Sequence, residues 1–328
     1  ESLRTIQPRY ALIFIKPDEL DVNFAWKWLA LTTRIDDDPL VDVSSGFITG
    51  ANPDAVTSFV ERTAKAVNGE SILPGKLIDN FGPNPQAPRN QFLQQAGCFM
   101  IPVFQERTAL ATISHGADLH PDHGIPVYQE MEYLAYTGRS LGDVMRHTHN
   151  GVILGNGGRL PELEPFVDQM PSPKWTPSDV MLKGTAARIL FGDPALIVSE
   201  AFTKPPFEIT TTRSSADQLQ ISAVLSNLQL KSEFTDTYHA DLASNKQLFN
   251  DRALIVVDLP EDWQNIGSVE VTEIRAAGQD IPNRLLGYAV ETAGQRQRLH
   301  IQVDLSTTGY MQSPFRQKGA TVVLTVGR

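Results

Sequence analysis

The most informative stretch of the sequence is residues 109–124, which read Ala-Leu-Ala-Thr-Ile-Ser-His-Gly-Ala-Asp-Leu-His-Pro-Asp-His-Gly. The apolar run Ala109–Ile113 predicts a buried strand. A strand that ends in Ser-His-Gly places the His115 imidazole at the open edge of a sheet, where open α/β proteins build their sites. Histidine also exchanges protons and binds metal ions near neutral pH. We therefore expect the chemistry of this protein at the end of this strand.

The composition is that of an ordinary folded protein, with 41% hydrophobic and 20% charged residues. A chain of 328 residues is long enough for two domains. The formal net charge of −10 argues against nucleic acid as a partner, because phosphate binding needs a basic surface. No apolar run approaches the roughly 18 residues of a membrane span, so no transmembrane segment is expected. The single cysteine, Cys98, excludes an internal disulfide.

Residues 1–204 alternate between strand and helix patterns. This alternation predicts an α/β domain with a mostly parallel sheet and helices on both faces. The continuous apolar run Tyr10–Ile15 is typical of a strand buried on both faces. The other predicted strands are Ala109–Ile113, Val152–Leu154 and Ala187–Phe191. The predicted helices are Ala25–Leu31, Asp54–Val67, Ile125–Tyr136 and Leu141–His147, the last capped by Ser140.

The helical signal ends at Lys204-Pro205-Pro206, which we take as a domain boundary. Short strand-like runs separated by turn residues follow. They predict an all-β sandwich of immunoglobulin type over residues 205–328. The predicted strands are Phe207–Thr212, Gln218–Leu225, Ala253–Leu259, Val269–Ile274, Leu286–Val290, Leu299–Val303 and Thr321–Val326.

Two segments of the first domain resemble gingipain-type cysteine peptidases, which have a caspase-like α/β fold. The first is Asp38-Pro-Leu-Val-Asp-Val-Ser-Ser-Gly-Phe-Ile-Thr-Gly50, where Phe47 stands at a position that is usually arginine. The second is Met131-Glu-Tyr-Leu-Ala-Tyr-Thr-Gly-Arg-Ser-Leu-Gly-Asp-Val144, which leads to Leu190-Phe-Gly-Asp-Pro-Ala-Leu196. In that family the Gly-Asp-Pro-Ala-Leu segment closes the catalytic domain, and an immunoglobulin-like domain follows. The resemblance implies a secreted or cell-surface bacterial protein that acts on protein or peptide substrates.

The chemistry of that family pairs a His-Gly at one strand end with a cysteine at the next. The imidazole activates the thiol, and backbone amides hold the oxyanion. The resemblance thus implies His115 as general base and Cys98 as nucleophile. The chain order differs from the family plan, because Cys98 precedes every histidine. Either the fold is retained without activity, or Cys98 and His115 meet in an unusual order, since such pairs are defined by geometry.

Other interpretations of these residues stay open. Cys98 precedes the apolar residues Phe99, Met100 and Ile101, which is typical of a small core residue. The histidine segment also fits a polar loop with capped turns. A third interpretation is a zinc-type metal site, which would make the protein a metal-dependent hydrolase. Its ligands would be drawn from His115, His120, His123, Asp118 and Asp122.

Three further segments of the sequence lead to structural expectations. The segment Asp36-Asp37-Asp38 fits either a calcium-binding loop or a solvated acidic turn. His147 and His149 lie near the predicted end of a helix, where histidine complements the helix dipole. The segment 155–158, Gly-Asn-Gly-Gly, is interpreted as a tight turn. A non-catalytic extracellular module, in which both domains serve binding or structure, is the alternative to an enzyme.

Overall fold

The computed structural model describes fifteen stretches of the chain. They are residues 2–20, 22–50, 52–67, 73–78, 91–98, 111–115, 138–160, 188–197, 207–225, 252–263, 265–276, 279–280, 285–293, 296–304 and 320–328. Together they form a mixed α/β architecture with three sheets and few helices. The predicted helix Ile125–Tyr136 and the predicted boundary at residues 204 and 205 lie outside these stretches.

Strands from the first two hundred residues form one six-stranded sheet. Its spatial order is β1-β2-β6-β5-β4-β3. The strands are β1 (Tyr10–Phe14), β2 (Ser44–Ile48), β3 (Leu73–Ile78), β4 (Gln91–Cys98), β5 (Ala111–His115) and β6 (Arg188–Phe191).

The sheet consists of two parallel halves. β3, β4 and β5 run parallel to one another, and so do β1, β2 and β6. The halves meet in the antiparallel pair β5–β6. One sheet edge therefore carries the carboxyl ends of β4 and β5 together with the amino ends of β1, β2 and β6.

β1 is an edge strand and not a strand buried on both faces. β1 has a neighbouring strand on one side alone among the described residues, and its residues Leu12 and Phe14 are 39% and 60% exposed. Ile13 points the other way and packs into the apolar cluster beneath α2. The apolar run predicted the strand correctly, but it could not predict the position of that strand in the sheet.

Four helices are described, and they cover both faces of the sheet. They are α1 (Ser2–Ile6), α2 (Val22–Thr32), α3 (Pro53–Val67) and α4 (Leu141–Gly155). Phe24, Ala25 and Trp28 of α2 pack on a cluster that contains Phe47 and Phe191. α4 lies on the opposite face, where Asp143 accepts a hydrogen bond from Ser44. Helices on both faces were predicted from the alternating pattern. None of the helices in the described part of the chain has the length and apolar character needed to cross a bilayer.

α4 is twice as long as predicted. It begins after Ser140, whose hydroxyl accepts a hydrogen bond from the Asp143 amide, and it continues to Gly155. The predicted strand Val152–Leu154 is wrong, since these residues form a buried turn of the helix. A short apolar run does not distinguish a strand from a buried helix turn. Gly157 and Gly158 have φ angles of 68° and 77°, which confirms the tight turn after the helix.

Strands after residue 206 form two antiparallel sheets that share one apolar core. One sheet has the order β11-β10-β14-β8-β7, and the other has the order β12-β13-β9. The strands are β7 (Phe207–Ser215), β8 (Gln218–Leu225), β9 (Arg252–Asp258), β10 (Ser268–Ala276), β11 (Gln279–Asp280), β12 (Leu285–Ala293), β13 (Arg296–Asp304) and β14 (Ala320–Gly327). Each predicted strand of this part overlaps one of them. Buried residues from both sheets, including Ile221, Ile255, Ile301 and Leu324, fill the space between them.

α4 also contacts the three-stranded sheet β12-β13-β9. Glycine stands at two contact positions, and at Gly287 the absence of a side chain permits the close approach. A Cβ on Gly287 would lie 2.5 Å from the Leu154 carbonyl oxygen, and one on Gly151 would lie 3.0 Å from Gln302. α4 is thus packed between the six-stranded sheet and the antiparallel strands.

Candidate functional site

The candidate site lies at the sheet edge where β4 and β5 end. β5 ends at His115, as the apolar run and Ser-His-Gly predicted. β4 ends at Cys98, and its existence was not predicted. Residues 73–78 and 91–98 contain proline, glycine and glutamine in place of the β-branched residues that mark strands.

Strand register pairs the two residues that the family resemblance singled out. Cys98 and His115 are direct partners on the adjacent parallel strands β4 and β5, after a register irregularity between Gln94 and Cys98. Neighbouring strands lie about 4.8 Å apart, so the two backbones are within one strand spacing. The reversed chain order of cysteine and histidine therefore does not separate them.

The row of paired residues continues across the sheet. His115 is also the antiparallel partner of Arg188, the first residue of β6. Phe47 pairs with Phe191, so Ser44 and Arg188 each stand three residues before that pair. Ser44 in turn pairs with Tyr10. Five strands therefore contribute polar or reactive residues to one edge: Cys98, His115, Arg188, Ser44 and Tyr10.

The remaining predicted site residues lie outside the described stretches. They are His120, His123, Asp118 and Asp122. The metal interpretation of this segment stays a prediction.

The start of α4 is tied to the same edge by a hydrogen-bond network around Asp143. Asp143 accepts hydrogen bonds from Ser44 at 2.7 Å and from Arg9 at 2.8 Å, and the Tyr10 hydroxyl lies 3.2 Å away. Burial alone would raise the pKa of this carboxyl. The bonds from Ser44 and Arg9 outweigh that effect and hold the pKa below its usual value. This network fixes α4 relative to β1 and β2.

The segment Gly192-Asp-Pro-Ala-Leu196 caps α4 from the other side. The Leu141 amide donates to the Leu196 carbonyl at 2.9 Å, and the Gly142 amide donates to the Pro194 carbonyl at 2.8 Å. These bonds satisfy amides that a helix start otherwise leaves without partners. This segment, on which the family resemblance partly rests, therefore holds the start of α4 in place.

A small cavity lies between α2, α4 and the sheet, next to this edge. Its volume of about 40 Å³ is enough for one or a few water molecules. Polar side chains in its lining are Trp28, Thr32, Ser45, Arg146, His149 and Arg188. No carboxylate belongs to the lining in the described part of the chain.

Arg188 and His149 are buried beside this cavity. Arg188 is 2% exposed, and His149 is 9% exposed. The His149 ring is hydrogen-bonded to the Arg188 backbone. Burial lowers the pKa of His149, the hydrogen bond to the Arg188 backbone partly opposes this effect, and the positive charge of Arg188 adds to it, so that the pKa is about 4. His149 is therefore a neutral imidazole at neutral pH. The interpretation of His147 and His149 as helix-end residues is wrong, because α4 continues past them to Gly155.

An acidic cluster lies in the turn between α2 and β2. Asp36, Asp38 and Asp42 each place a carboxylate oxygen within 4.8 Å of the others. Burial raises the pKa of Asp38 to about 6. Burial and the neighbouring Asp36 and Asp38 raise the pKa of Asp42 to about 7. The expected acidic feature at 36–38 thus includes Asp42 instead of Asp37. Such a spacing would suit a calcium ion, but acidic clusters of this kind are common without one.

A buried ion-pair network joins α4 to the antiparallel strands. Arg146 contacts Glu291 at 2.7 Å, and the other Glu291 oxygen lies 2.9 Å from His300 Nε2. Burial acts to raise the pKa of Glu291. The His300 hydrogen bond and the Arg146 charge reverse that effect and lower the pKa to about 2. Arg146 also donates to the Asp42 carbonyl at 3.3 Å.

Comparisons with known proteins give no family assignment. No known protein family matches the chain. No curated protein matches it either. A solved structure described as "Structure of Protease" is similar over 87% of this chain and 73% of its own chain, with 9% identity and a TM-score of 0.33. At that TM-score the likeness carries no argument about fold or function.

Sequence reasoning missed Arg188 and the buried position of His149. Arg188 precedes the apolar run Ile189–Phe191, and a charge at that place is usually exposed. No local signal marks it, because its position opposite His115 depends on long-range strand pairing. For His149, the sequence does contain a local indication of its buried position in the helix. The apolar residues Val152, Ile153 and Leu154 continue the helical spacing of Val144 and Met145, and they place His149 in mid-helix.

Proposed function

We propose that this chain is a gingipain-type cysteine peptidase with a caspase-like catalytic domain and an immunoglobulin-like domain. The single observation that carries the proposal is the register of β4 and β5, which makes Cys98 and His115 partners at the carboxyl ends of adjacent parallel strands. The domain order, with antiparallel sheets after residue 206, agrees with the family resemblance.

In the proposed reaction, the His115 imidazole takes the proton of the Cys98 thiol. The thiolate attacks the carbonyl carbon of a peptide bond, and backbone amides of the glycine-rich turns stabilise the oxyanion. The imidazolium then returns the proton to the leaving amine. Water hydrolyses the resulting thioester and regenerates the thiol. Side chains of paired residues on neighbouring strands share one face of a sheet, which is the arrangement that this proton transfer needs.

We also propose a localisation and a substrate class for the protein. The family resemblance implies a secreted or cell-surface bacterial protein with protein or peptide substrates. The net charge of −10 agrees with a partner other than nucleic acid.

The test is hydrolysis of a mixed library of fluorogenic peptides by the wild type and three variants. Cys98→Ala is expected to abolish cleavage, and His115→Ala to reduce it by about 10²-fold or more. His120→Ala is the matched control, because it removes a histidine of the same segment that the dyad does not use.

The same variants also distinguish the cysteine peptidase from the two alternatives, a metal-dependent hydrolase and a non-catalytic module. Full activity of Cys98→Ala would overturn the proposal. Loss of activity in His120→Ala together with retained activity in Cys98→Ala would indicate the metal-dependent hydrolase. A folded wild type that cleaves no peptide in the library and leaves Cys98 unreactive would indicate the non-catalytic module.

A further inference from the structure

His149 of α4 has a buried ring nitrogen that can accept a hydrogen bond. The residue is 9% exposed, and its Nε2 atom has no hydrogen-bond partner within the described part of the chain. The bond to the Arg188 backbone raises the pKa of the ring, so the ring is the donor and the backbone carbonyl the acceptor. Because Nε2 has no partner, the donor is Nδ1. The neutral ring therefore carries its proton on Nδ1, and the lone pair of Nε2 is a buried acceptor.

The cavity between α2, α4 and the sheet offers the space for a donor to this nitrogen. His149 belongs to its lining. A buried polar atom that no donor reaches destabilises a fold, and nearly all such atoms in native proteins are paired with protein groups or with ordered ligands. The cavity is therefore examined for the kind of molecule that its lining and its size would accept.

The lining of the cavity selects against charged and bulky ligands. Arg146 and Arg188 belong to it, and no carboxylate does among the described residues, which disfavours a metal cation. The Nε2 lone pair of His149 disfavours an anion, because the two would repel each other. The volume of about 40 Å³ is far below the roughly 150 Å³ of an engineered cavity that binds benzene. A small neutral molecule that donates hydrogen bonds meets all three conditions.

Two hydroxyl groups of the lining can accept a second hydrogen bond from such a molecule. Thr32 Oγ1 donates its own hydrogen to the Leu29 carbonyl at 2.8 Å, and its oxygen can still accept. Ser45 Oγ accepts from Trp28 Nε1 at 2.8 Å and has a second lone pair. Thr32 lies at the end of α2 and Ser45 on β2. A molecule with two donors therefore joins α4 to one of these elements.

We propose that this cavity is a binding site for a buried water molecule, which donates one hydrogen bond to His149 Nε2 and one to the hydroxyl of Thr32 or Ser45. Water is a small neutral molecule with two donors, and a buried water typically makes about three hydrogen bonds to polar groups. Such a water is a structural part of the contact between α4 and the elements around it. The water site is independent of the proposed peptidase activity.

A crystal structure of the full chain tests the site, because an ordered buried water gives its own electron-density peak. We expect a peak about 3 Å from His149 Nε2, with a second contact to the hydroxyl of Thr32 or Ser45. A soak in sodium bromide distinguishes water from an anion, and no anomalous peak is expected in the cavity. Nitrogen-15 NMR of the histidine-labelled protein should place the His149 proton on Nδ1.

Two variants at position 149 test whether the ring nitrogen holds the water. His149→Leu removes the acceptor and keeps a side chain that fills part of the space, so the density peak should be lost. His149→Gln supplies an amide oxygen close to the position of Nε2, so the peak should be retained. Retention in the glutamine variant together with loss in the leucine variant separates hydrogen bonding from the mere shape of the cavity.

Several results would overturn the water site. They are a protein group that donates to His149 Nε2, the lack of a density peak beside this atom, a bromide peak in the cavity, and a proton on Nε2 in the NMR spectrum. A water that persists in His149→Leu would show that His149 does not hold it. Where this variant does not fold, the density and the ring proton of the wild type decide.

Discussion

His149 is a neutral, buried imidazole, and this makes the stability of the fold depend on pH. An unfolded histidine takes up its proton near pH 6.5, whereas folded His149 does so near pH 4. As the pH falls between these values, the unfolded state gains a proton that the folded state does not. Protonation therefore favours unfolding, and the contribution of His149 is complete above pH 6.5 and lost towards pH 4.

Because of His149, the free energy of unfolding should be smaller at pH 5 than at pH 7.5. Between pH 7.5 and pH 5 the His149 contribution should cost the wild type about 2 kcal/mol. His149→Gln, which does not titrate, should lose about 2 kcal/mol less over the same interval. Urea unfolding at both pH values measures the difference. An identical pH dependence in the two proteins would show that His149 is not a buried neutral group.

Asp42 has the opposite effect on the pH dependence of stability: it destabilises the fold as the pH rises. Its pKa is raised to about 7, whereas an unfolded aspartate ionises near pH 3.9. As the pH rises from about 4 to 7, the unfolded state loses its proton first, so the stability contribution of Asp42 falls. The cost of burying the ionised Asp42, together with its repulsion by Asp36 and Asp38, is therefore largest above pH 7.

Asp42→Asn should relieve that repulsion. Because the carboxyls are partly exposed and solvent screens them, we expect a gain of about 1 kcal/mol at pH 8 and almost none at pH 4. Asp37→Asn is the control, since Asp37 is exposed and outside the cluster. Urea unfolding at both pH values gives the answer. A loss of stability at pH 8 in Asp42→Asn would contradict the account.

At the scale of elements, α4 is the part that the sequence predicted incompletely. Its start was evident from Ser140, and its end from the glycines at 157 and 158. The error lay between them, because Val152–Leu154 is a run that fits a strand as well as a buried helix turn. β3 and β4 were missed for a different reason: their proline, glycine and glutamine residues form strands through pairing and not through local preference.

The candidate site was predicted in part. The end of β5 at His115 followed from the apolar run before it. The partners of His115 could not be predicted, because Cys98 and Arg188 reach it through long-range pairing of β4 and β6. Strand register is set by the whole hydrophobic pattern and the turns, which a local motif does not contain.

The close packing of α4 against the Gly192-Asp-Pro-Ala-Leu196 segment depends on the absence of a side chain at Gly142. A Cβ on Gly142 would lie 2.6 Å from Pro194 Cβ, 2.8 Å from the Pro194 carbonyl oxygen and 2.9 Å from Ser44 Cβ. None of these atoms is the end of a flexible side chain. Gly142→Ala should therefore destabilise the protein by about 2 kcal/mol.

Gly151→Ala is the matched control in the same helix. Its Cβ would meet Gln302 at 3.0 Å, and that side chain end can move. Since alanine favours a helix by about 1 kcal/mol over glycine, the cost should be near zero. Equal losses for the two variants in urea unfolding would show that the close approach at Gly142 is not what holds α4.

At the scale of the whole molecule, the Arg146–Glu291–His300 network links α4 to the antiparallel strands, and we expect it to couple their unfolding. It lies across the contact between α4 and strands β12 and β13. Breaking a buried ion pair leaves a buried charge without its partner, which costs about 3 kcal/mol. The lowered pKa of Glu291, about 2, means that this contribution is present above pH 4.5 and lost as the pH falls towards 2.

Glu291→Gln should therefore destabilise the protein by about 3 kcal/mol at pH 7 and separate its thermal unfolding into two transitions. Asp258→Asn is the control on the same sheet, because it removes an exposed ion pair with Arg298 that contributes less than about 1 kcal/mol. Calorimetry measures both effects. A single transition with unchanged midpoint in Glu291→Gln would show that the network does not couple the two parts.

The central claim is that Cys98 and His115 form a catalytic pair, and one distance tests it most directly. A crystal structure of the chain gives the separation between Cys98 Sγ and the nearest ring nitrogen of His115. The proposed catalytic pair requires a separation of about 4 Å or less, within reach of proton transfer. A separation of about 8 Å or more, with the two side chains on opposite faces of the sheet, would contradict it.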